Sequence, residues 1–314
     1  MELLVWHVHG SWTTAFVQGK HSYLLPTVDD RGPWGRGRYG RPWPDSAVEV
    51  VPGELRERDV DAVVLQRPEE IELTRRWLGR EPGADLPAVY VEHNTPREHA
   101  ATSRHPLADQ RDIPLVHVTH YNELMWDNGI APTVVIDHGI VDPGHRYTGE
   151  LARAAVLINE PVRRGRVVGT DLLPVIARAA PVDLYGIGVT DLDVPGVTPV
   201  GDLASDDLHS EMATRRVYVH TARWTSLGLS LLEAMHLGMP VAAVASAEAA
   251  TAVPPDAGLV STDVDDLAST VSTLCADPDL ATRMGKSARE YALAHFGLPA
   301  FLRRWDALLD SLAP

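Results

Sequence analysis

The chain has 314 residues, 45% of them hydrophobic, with 28 basic against 43 acidic side chains and a formal net charge of −15. That balance is a poor match for general binding to nucleic acid or to anionic membranes. A single cysteine, Cys275, excludes an internal disulfide and Cys-rich zinc or iron–sulfur sites.

The start, Met1-Glu2-Leu3-Leu4-Val5, lacks a basic n-region and a cleavage site, and no apolar run reaches the ~18 residues of a membrane span. A cytoplasmic chain without an integral membrane segment is therefore expected. At roughly 150 residues per domain the length suggests two domains.

The first strand is expected over Leu3–His9. His7 and His9 would then share one face of it, a spacing also used by metal-dependent hydrolases built on (β/α)₈ barrels. Such sites need further ligands and often a lysine at strand ends, and the only lysines are Lys20 and Lys286. The turn His9-Gly10-Ser11-Trp12 follows. The stretch Arg31–Asp45 carries four Gly, four Arg, three Pro and three aromatic residues and is read as irregular. It is either a mobile surface loop or an acceptor-binding loop. In the second case Trp34, Tyr39 and Trp43 stack on a flat ligand and arginine meets an anionic group.

Near-continuous apolar runs at Ala62–Gln66, Ala88–His93, Leu115–His120 and Thr133–His138 read as strands buried on both faces of a parallel sheet. Helices are expected at Pro68–Leu78 and Tyr121–Asn128. His120 and His138 then end strands and are assigned structural roles. The turn cluster Asp142-Pro143-Gly144 marks a boundary. It gives a first domain over 1–145, a second over 146–295 and a closing helical segment over 296–314.

The second half repeats the alternation. Strands are expected at Ala155–Asn159, Val182–Tyr185, Val217–His220, Val241–Ala245 and Gly258–Val260. Helices are expected at Thr170–Ala179, Asp206–Thr214, Ser230–Leu237, Asp263–Cys275 and Asp279–His295, then Phe301–Leu312. Thr262 and Asp265 resemble a capping box, and Asp277-Pro278 supplies an N-cap and an N1 proline. The pattern argues for an α/β protein with two doubly wound, Rossmann-like domains.

The most informative segment is Thr225–Pro240, TSLGLSLLEAMHLGMP. A strand is followed by a turn at Gly228, a helix from Ser230, a C-cap at Gly238 and a new strand after Pro240. Backbone N–H groups at Gly228, Leu229 and Ser230 would point out of the helix start, where the dipole adds positive potential. That suits a diphosphate. Glu233, one turn on, is placed either to accept ribose hydroxyls or to cap its own helix.

Gly228 through Met235, followed by Gly238-Met239-Pro240-Val241, resembles the donor-site signature of retaining glycosyltransferases of the GT-B fold, family 4 above all. The resemblance implies two Rossmann-like domains facing across a cleft. It implies a metal-independent, hexosyl-type transferase acting with retention. The donor is a nucleotide-diphosphate sugar as co-substrate, with no other cofactor, and the acceptor is a small molecule, glycan or lipid. Leu157-Ile158-Asn159 with Arg163, Arg164 and Arg166 resembles the first donor-domain strand and its phosphate clamp. The same resemblance assigns Gly10 and Ser11 to the donor phosphates, His93 to the reacting sugar and Tyr185-Gly186-Ile187-Gly188 to the next glycine turn. The family's first motif glutamate, which contacts the donor sugar, is Thr225 here. That substitution leaves open a catalytically inactive partner that binds nucleotide sugars. Asp191-Leu192-Asp193 resembles a metal-binding Asp-x-Asp and is read as a solvated turn.

Overall fold

The computed structural model describes residues 1–97 and 99–312. The chain divides into two compact units, Met1–Val141 with Leu298–Pro314, and Asp142–Gly297.

The first unit runs β1 (Glu2–Val5), α1 (Gly10–Phe16), β2 (Ser22–Pro26), β3 (Ala47–Val50), β4 (Ala62–Leu65), α2 (Glu69–Leu78), β5 (Ala88–Glu92), β6 (Leu115–His117), α3 (His120–Met125) and β7 (Thr133–Val135). Its seven strands are all parallel, in the order β3-β2-β1-β4-β5-β6-β7. One face buries Leu4, Leu24, Leu65, Trp77 and Tyr90. Against α1 lies the closing helix Leu298–Leu312, where Trp305 meets Trp12 at 5.7 Å and Phe16 at 4.9 Å between ring centroids.

Several expectations shift. β1 ends at Val5, so His7 and His9 lie in the loop beyond it rather than on a strand face. With two open sheets instead of an eight-stranded barrel, the metal-dependent hydrolase reading falls. β6 stops at His117, and Thr119 caps α3 by accepting from the Asn122 N–H. His120 therefore opens that helix with its side chain 74% exposed. Within Arg31–Asp45 two of the three aromatic residues, Trp34 and Trp43, are not free to stack on a ligand. Trp43 is buried against His7 and donates its indole N–H to Thr14 Oγ1 at 2.9 Å. Trp34 lies under the Arg67 guanidinium, and only Tyr39 is well exposed.

The second unit contains β8 (Leu151–Leu157), α4 (Pro161–Arg164), α5 (Leu173–Ala179), β9 (Val182–Tyr185), β10 (Val197–Gly201), α6 (Ser205–Met212), β11 (Arg215–His220), α7 (Leu229–Leu237), β12 (Val241–Val244), α8 (Ala249–Ala252), β13 (Gly258–Ser261), α9 (Val264–Ala276) and α10 (Pro278–His295). Its parallel sheet runs β10-β9-β8-β11-β12-β13. Ranked along the unit this is 3-2-1-4-5-6, the order of doubly wound nucleotide-binding sheets. The helix after β13 is capped by Asp263, not by a Thr262–Asp265 box, while Asp277 caps α10 by accepting from Leu280 N–H at 2.9 Å. Among the described residues no helix is long and apolar enough to cross a membrane.

One buried charge group ties β8, β9 and β11 together. Asp183 accepts from Arg153 Nε at 2.9 Å and from Arg215 Nε at 2.7 Å. Burial pushes its carboxyl up, but the two guanidinium groups outweigh that and hold it below the usual carboxylate range. Removing one member of such a network leaves unpaired charge inside the protein. Asp183→Ala is therefore expected to destabilise the chain by about 3 kcal/mol. Urea unfolding followed by circular dichroism checks this; a loss under 1 kcal/mol would contradict it.

Candidate functional site

In the second unit the strand order reverses between β8 and β11. Ligands of open α/β sheets bind outside the carboxyl ends at such a point. The two loops leaving those ends are joined to each other. Thr221 Oγ1 donates to the Val168 carbonyl at 2.7 Å, and the N–H groups of Arg223 and Trp224 donate to the Val167 carbonyl at 2.9 and 3.2 Å. Gly169 has a φ of 76°, and a Cβ there would lie 2.0 Å from the Thr221 carbonyl oxygen. Only glycine permits that approach. Gly186, ending β9, has a φ of 123° and meets the Ile158 carbonyl in the same way.

The loop after β11 leads into α7 through Gly228, its N-cap, which offers no side chain to cap the helix. No acidic residue occupies the first turn, and among the described residues no group of the chain accepts from the Gly228, Leu229 and Ser230 amides. A helix start leaves such donors unpaired unless something caps them. Tyr218 donates its hydroxyl to Ser230 Oγ at 2.8 Å and so holds that side chain. Beneath the turn lies His220, whose Cε1 would be 2.4 Å from a Cβ on Gly228. Six of the nine residues of α7 are buried, so the helix is anchored as a rigid base for the turn. Its far end closes on Gly238 at φ 91° and on Arg289, which donates to the His236 carbonyl and pairs with both Asp142 oxygens at 2.8 Å.

Glu233 lies on α7 with its carboxylate 3.6 Å from His209 Nε2, a nitrogen buried without a hydrogen bond. At that separation the carboxylate keeps its acceptor capacity. Thr225 is half-buried in the turn.

The arginines after β8 do not form one cluster. Arg163 pairs with Glu160, three residues back, at 2.9 Å through Nε. Arg166 pairs with Asp171 at 2.9 Å, and Arg164 is half-buried. Asp171 also takes Arg223 in a two-point contact, at 2.5 and 3.0 Å. Arg223 is not among the residues to which the sequence points. It stands three residues past β11, and that position beside the glycine turn is the signal that could have found it. Its guanidinium holds the Asp171 carboxyl below the usual range. Asp191 and Asp193 lie between β9 and β10. Among the described residues no group of three or more His, Cys, Asp or Glu is placed to hold a metal ion.

In the first unit the order reverses between β1 and β4, and the residues beyond those ends meet each other. Gln66 donates its side-chain amide to the Trp6 carbonyl at 2.6 Å, which fixes its orientation. Its oxygen then faces His93 Nε2 at 3.0 Å. So His93 carries its proton on Nε2 and keeps Nδ1 as an acceptor. The His9 ring lies 4.1 Å from the His93 ring. Burial, and then the nearby His9, push His93 well below an ordinary imidazole; burial lowers His9 to about 4 and His138 to about 3. The group is neutral through the physiological range. The His93 ring signals are expected not to titrate between pH 5 and 8 by NMR, whereas Gln66→Glu, which puts a carboxylate at Nε2, should bring an inflection into that window. A wild-type inflection near 6.5 would contradict this. Gly10 and Ser11 open α1, where the Arg41 guanidinium lies over Gly10.

Comparison with known proteins agrees with this architecture. The family model "Glycosyl transferases group 1" matches residues 195–291, a stretch that includes the Gly228 turn and α7. No curated protein matches the chain in sequence. Among solved structures, Anabaena HepE in complex with UDP-glucose is similar with a TM-score of 0.76 at 15% identity, over 99% of this chain and 100% of that one. Sucrose-phosphate synthase from Thermosynechococcus elongatus gives 0.72 at 16% identity over 99% of each chain. A glycosyltransferase from Rickettsia africae gives 0.67 at 13%, over 99% of this chain and 98% of its own. These likenesses show that the chain has the fold of the GT-B glycosyltransferases, and that its second unit contains a glycosyltransferase group 1 segment.

Proposed function

We propose that the chain is a metal-independent glycosyltransferase that moves a hexosyl group from a nucleotide-diphosphate sugar to a hydroxyl acceptor with retention of configuration. One observation carries the reading: three uncapped amides, at Gly228, Leu229 and Ser230, sit at the strand-order reversal inside the segment matched by the group 1 family model. In the reaction the bond from the anomeric carbon to the donor phosphate oxygen breaks. The acceptor oxygen bonds to that carbon on the same face, and its proton passes to the departing phosphate. Negative charge builds on the diphosphate, and the three amides with Arg223 and the 163–166 arginines would stabilise it. Such preorganised donors are worth about 3 kcal/mol each in other enzymes. Glu233 would accept the ribose hydroxyls, and neutral His93 would offer Nδ1 to a sugar hydroxyl.

HepE was solved with UDP and with UDP-glucose, which makes UDP-glucose the first donor to test. Thr225 supports a second reading, a nucleotide-sugar-binding partner that does not transfer. Mass spectrometry of products from UDP-, GDP-, ADP- and TDP-sugars with a panel of acceptors separates the two. Transfer supports the enzyme, binding without turnover supports the partner, and neither rejects both. Glu233→Ala is expected to weaken nucleotide binding at least tenfold, about 1.4 kcal/mol. Unchanged calorimetric affinity for every common nucleoside diphosphate would reject the ribose role.

A further inference from the structure

The chain as a whole is acidic, yet one cavity of the first unit is lined mainly by cations. It is a shallow depression of about 530 Å³, open to solvent and lined by Arg31, Arg38, Tyr39, Gly40, Arg41 and Glu49. The three arginines are not equivalent. Arg31 is neutralised by a two-point contact with Glu49, at 2.5 and 3.1 Å. Arg38 braces the loop: its Nε donates to the Arg41 carbonyl, its terminal nitrogen to the Trp43 carbonyl and its backbone N–H to Glu49.

Arg41 differs from both. Its guanidinium has no hydrogen bond or ion pair among the described residues, while its terminal nitrogen packs over Gly10, 2.6 Å from where a Cβ would be. Glycine at position 10 thus leaves room for a half-buried cation whose five N–H donors are untaken. Three guanidinium groups against one carboxylate leave the lining with two positive charges. Tyr39, 64% exposed, stands at the rim with the Arg36 guanidinium 5.4 Å from its ring centroid. It can stack on a sugar or other flat body attached to the bound group.

We propose that this cavity is an anion subsite for the acceptor and takes a phosphate monoester. A dianion matches the surplus charge, and its three oxygens suit the planar fork of an arginine held in place. A carboxylate would balance half of that charge. Only the word acceptor rests on the transferase reading; the anion site stands on the cavity itself.

The test is calorimetry on the whole protein with glucose 6-phosphate, phenyl phosphate, glucuronate and glucose, with UDP titrated separately. Both phosphate esters are expected to bind at least tenfold more tightly than glucuronate, and glucose not at all. Arg41→Ala should weaken the esters tenfold or more, with UDP affinity and melting temperature unchanged, and Arg41→Lys should recover part of the loss. Ester affinity unmoved in Arg41→Ala overturns the proposal, and glucuronate binding as tightly as the esters overturns the dianion assignment. UDP binding without ester binding overturns it while the transferase reading survives. Ester binding without UDP binding keeps the anion site and removes its role as an acceptor subsite.

Discussion

Gly228→Ala is expected to weaken binding of nucleoside diphosphates about a hundredfold, some 2.7 kcal/mol. The backbone there has a φ of −69°, which alanine adopts freely, so the conflict is not conformational. It is steric, because the new methyl would lie 2.4 Å from His220 Cε1. His220 is 7% exposed and its ring is stacked 6.4 Å from the Tyr218 ring, which restricts how far it can retreat. The turn must move instead, and the three amides turn with it. Hydrogen bonds weaken steeply when donors lose their alignment, so a small rotation is enough to lose most of the diphosphate contact. Overpacking of this kind also destabilises, by about 1–3 kcal/mol. Stability alone would not restore binding, and the double variant Gly228→Ala/His220→Ala tells the two effects apart. With the imidazole gone the methyl has space, so the second substitution should recover much of the affinity lost to the first. If the two losses simply add, steric displacement of the turn is not the cause.

Below neutrality the fold is expected to lose stability steeply between about pH 6.5 and 4. His138 and His220 are each almost completely buried, and burial lowers them to about 3 and about 4. Both folded values lie below that of an unfolded histidine, ~6.5. The unfolded chain therefore binds more protons in that window, and stability falls as pH falls through it. Above ~6.5 the contribution is fully present; by pH 4 each imidazole would have withdrawn about 3 kcal/mol. The two belong to different units, so both units should soften together. Urea melts of the wild type and of His220→Gln at pH 7 and pH 4.5 test this. The variant should lose less on acidification, and parallel losses would contradict the assignment to His220. Asp183, held low by two arginines, adds its own loss only at still lower pH.

Most of the architecture is legible in the sequence for one reason. β4, the body of β5 and the centre of β11 are buried on both faces and read as unbroken apolar runs, and β9 departs from this only at Asp183. The strands that escape notice lie toward the sheet margins. β3 and β10 are edge strands, short or partly exposed, and β10 contains Pro199. β2, SYLLP, ends on Pro26 and β3, AVEV, has four residues, so neither rises above the noise of a Gly- and Pro-rich stretch. α1 has the sequence GSWTTAF, with two Thr, two aromatics and Gly at its start. Its propensity is poor, and it stands because Trp12 and Phe16 pack on Trp305 from the other end of the chain.

The candidate site divides in the same way. The Gly228 turn is legible because a local rule, a strand followed by glycine and a helix, fixes where the amides point. Arg223 is not, because its partner Asp171 lies 52 residues away and only the fold brings them together. Arg163 reads as a free cation, although Glu160, three positions earlier, is close enough to claim it. Trp43 looks like a ligand platform because an aromatic residue in a Gly-rich stretch gives no sign of burial, whereas the fold tucks it against His7.

A pyrophosphate seated at the Gly228 turn is what the proposed transfer requires. Amide chemical shifts of the isotope-labelled chain, followed while UDP is added, report this directly. The Gly228, Leu229 and Ser230 signals are expected to move first and furthest and to saturate with the calorimetric affinity. Shifts confined to other residues while these three stay still, or none at any concentration of UDP, GDP, ADP or TDP, would contradict the account.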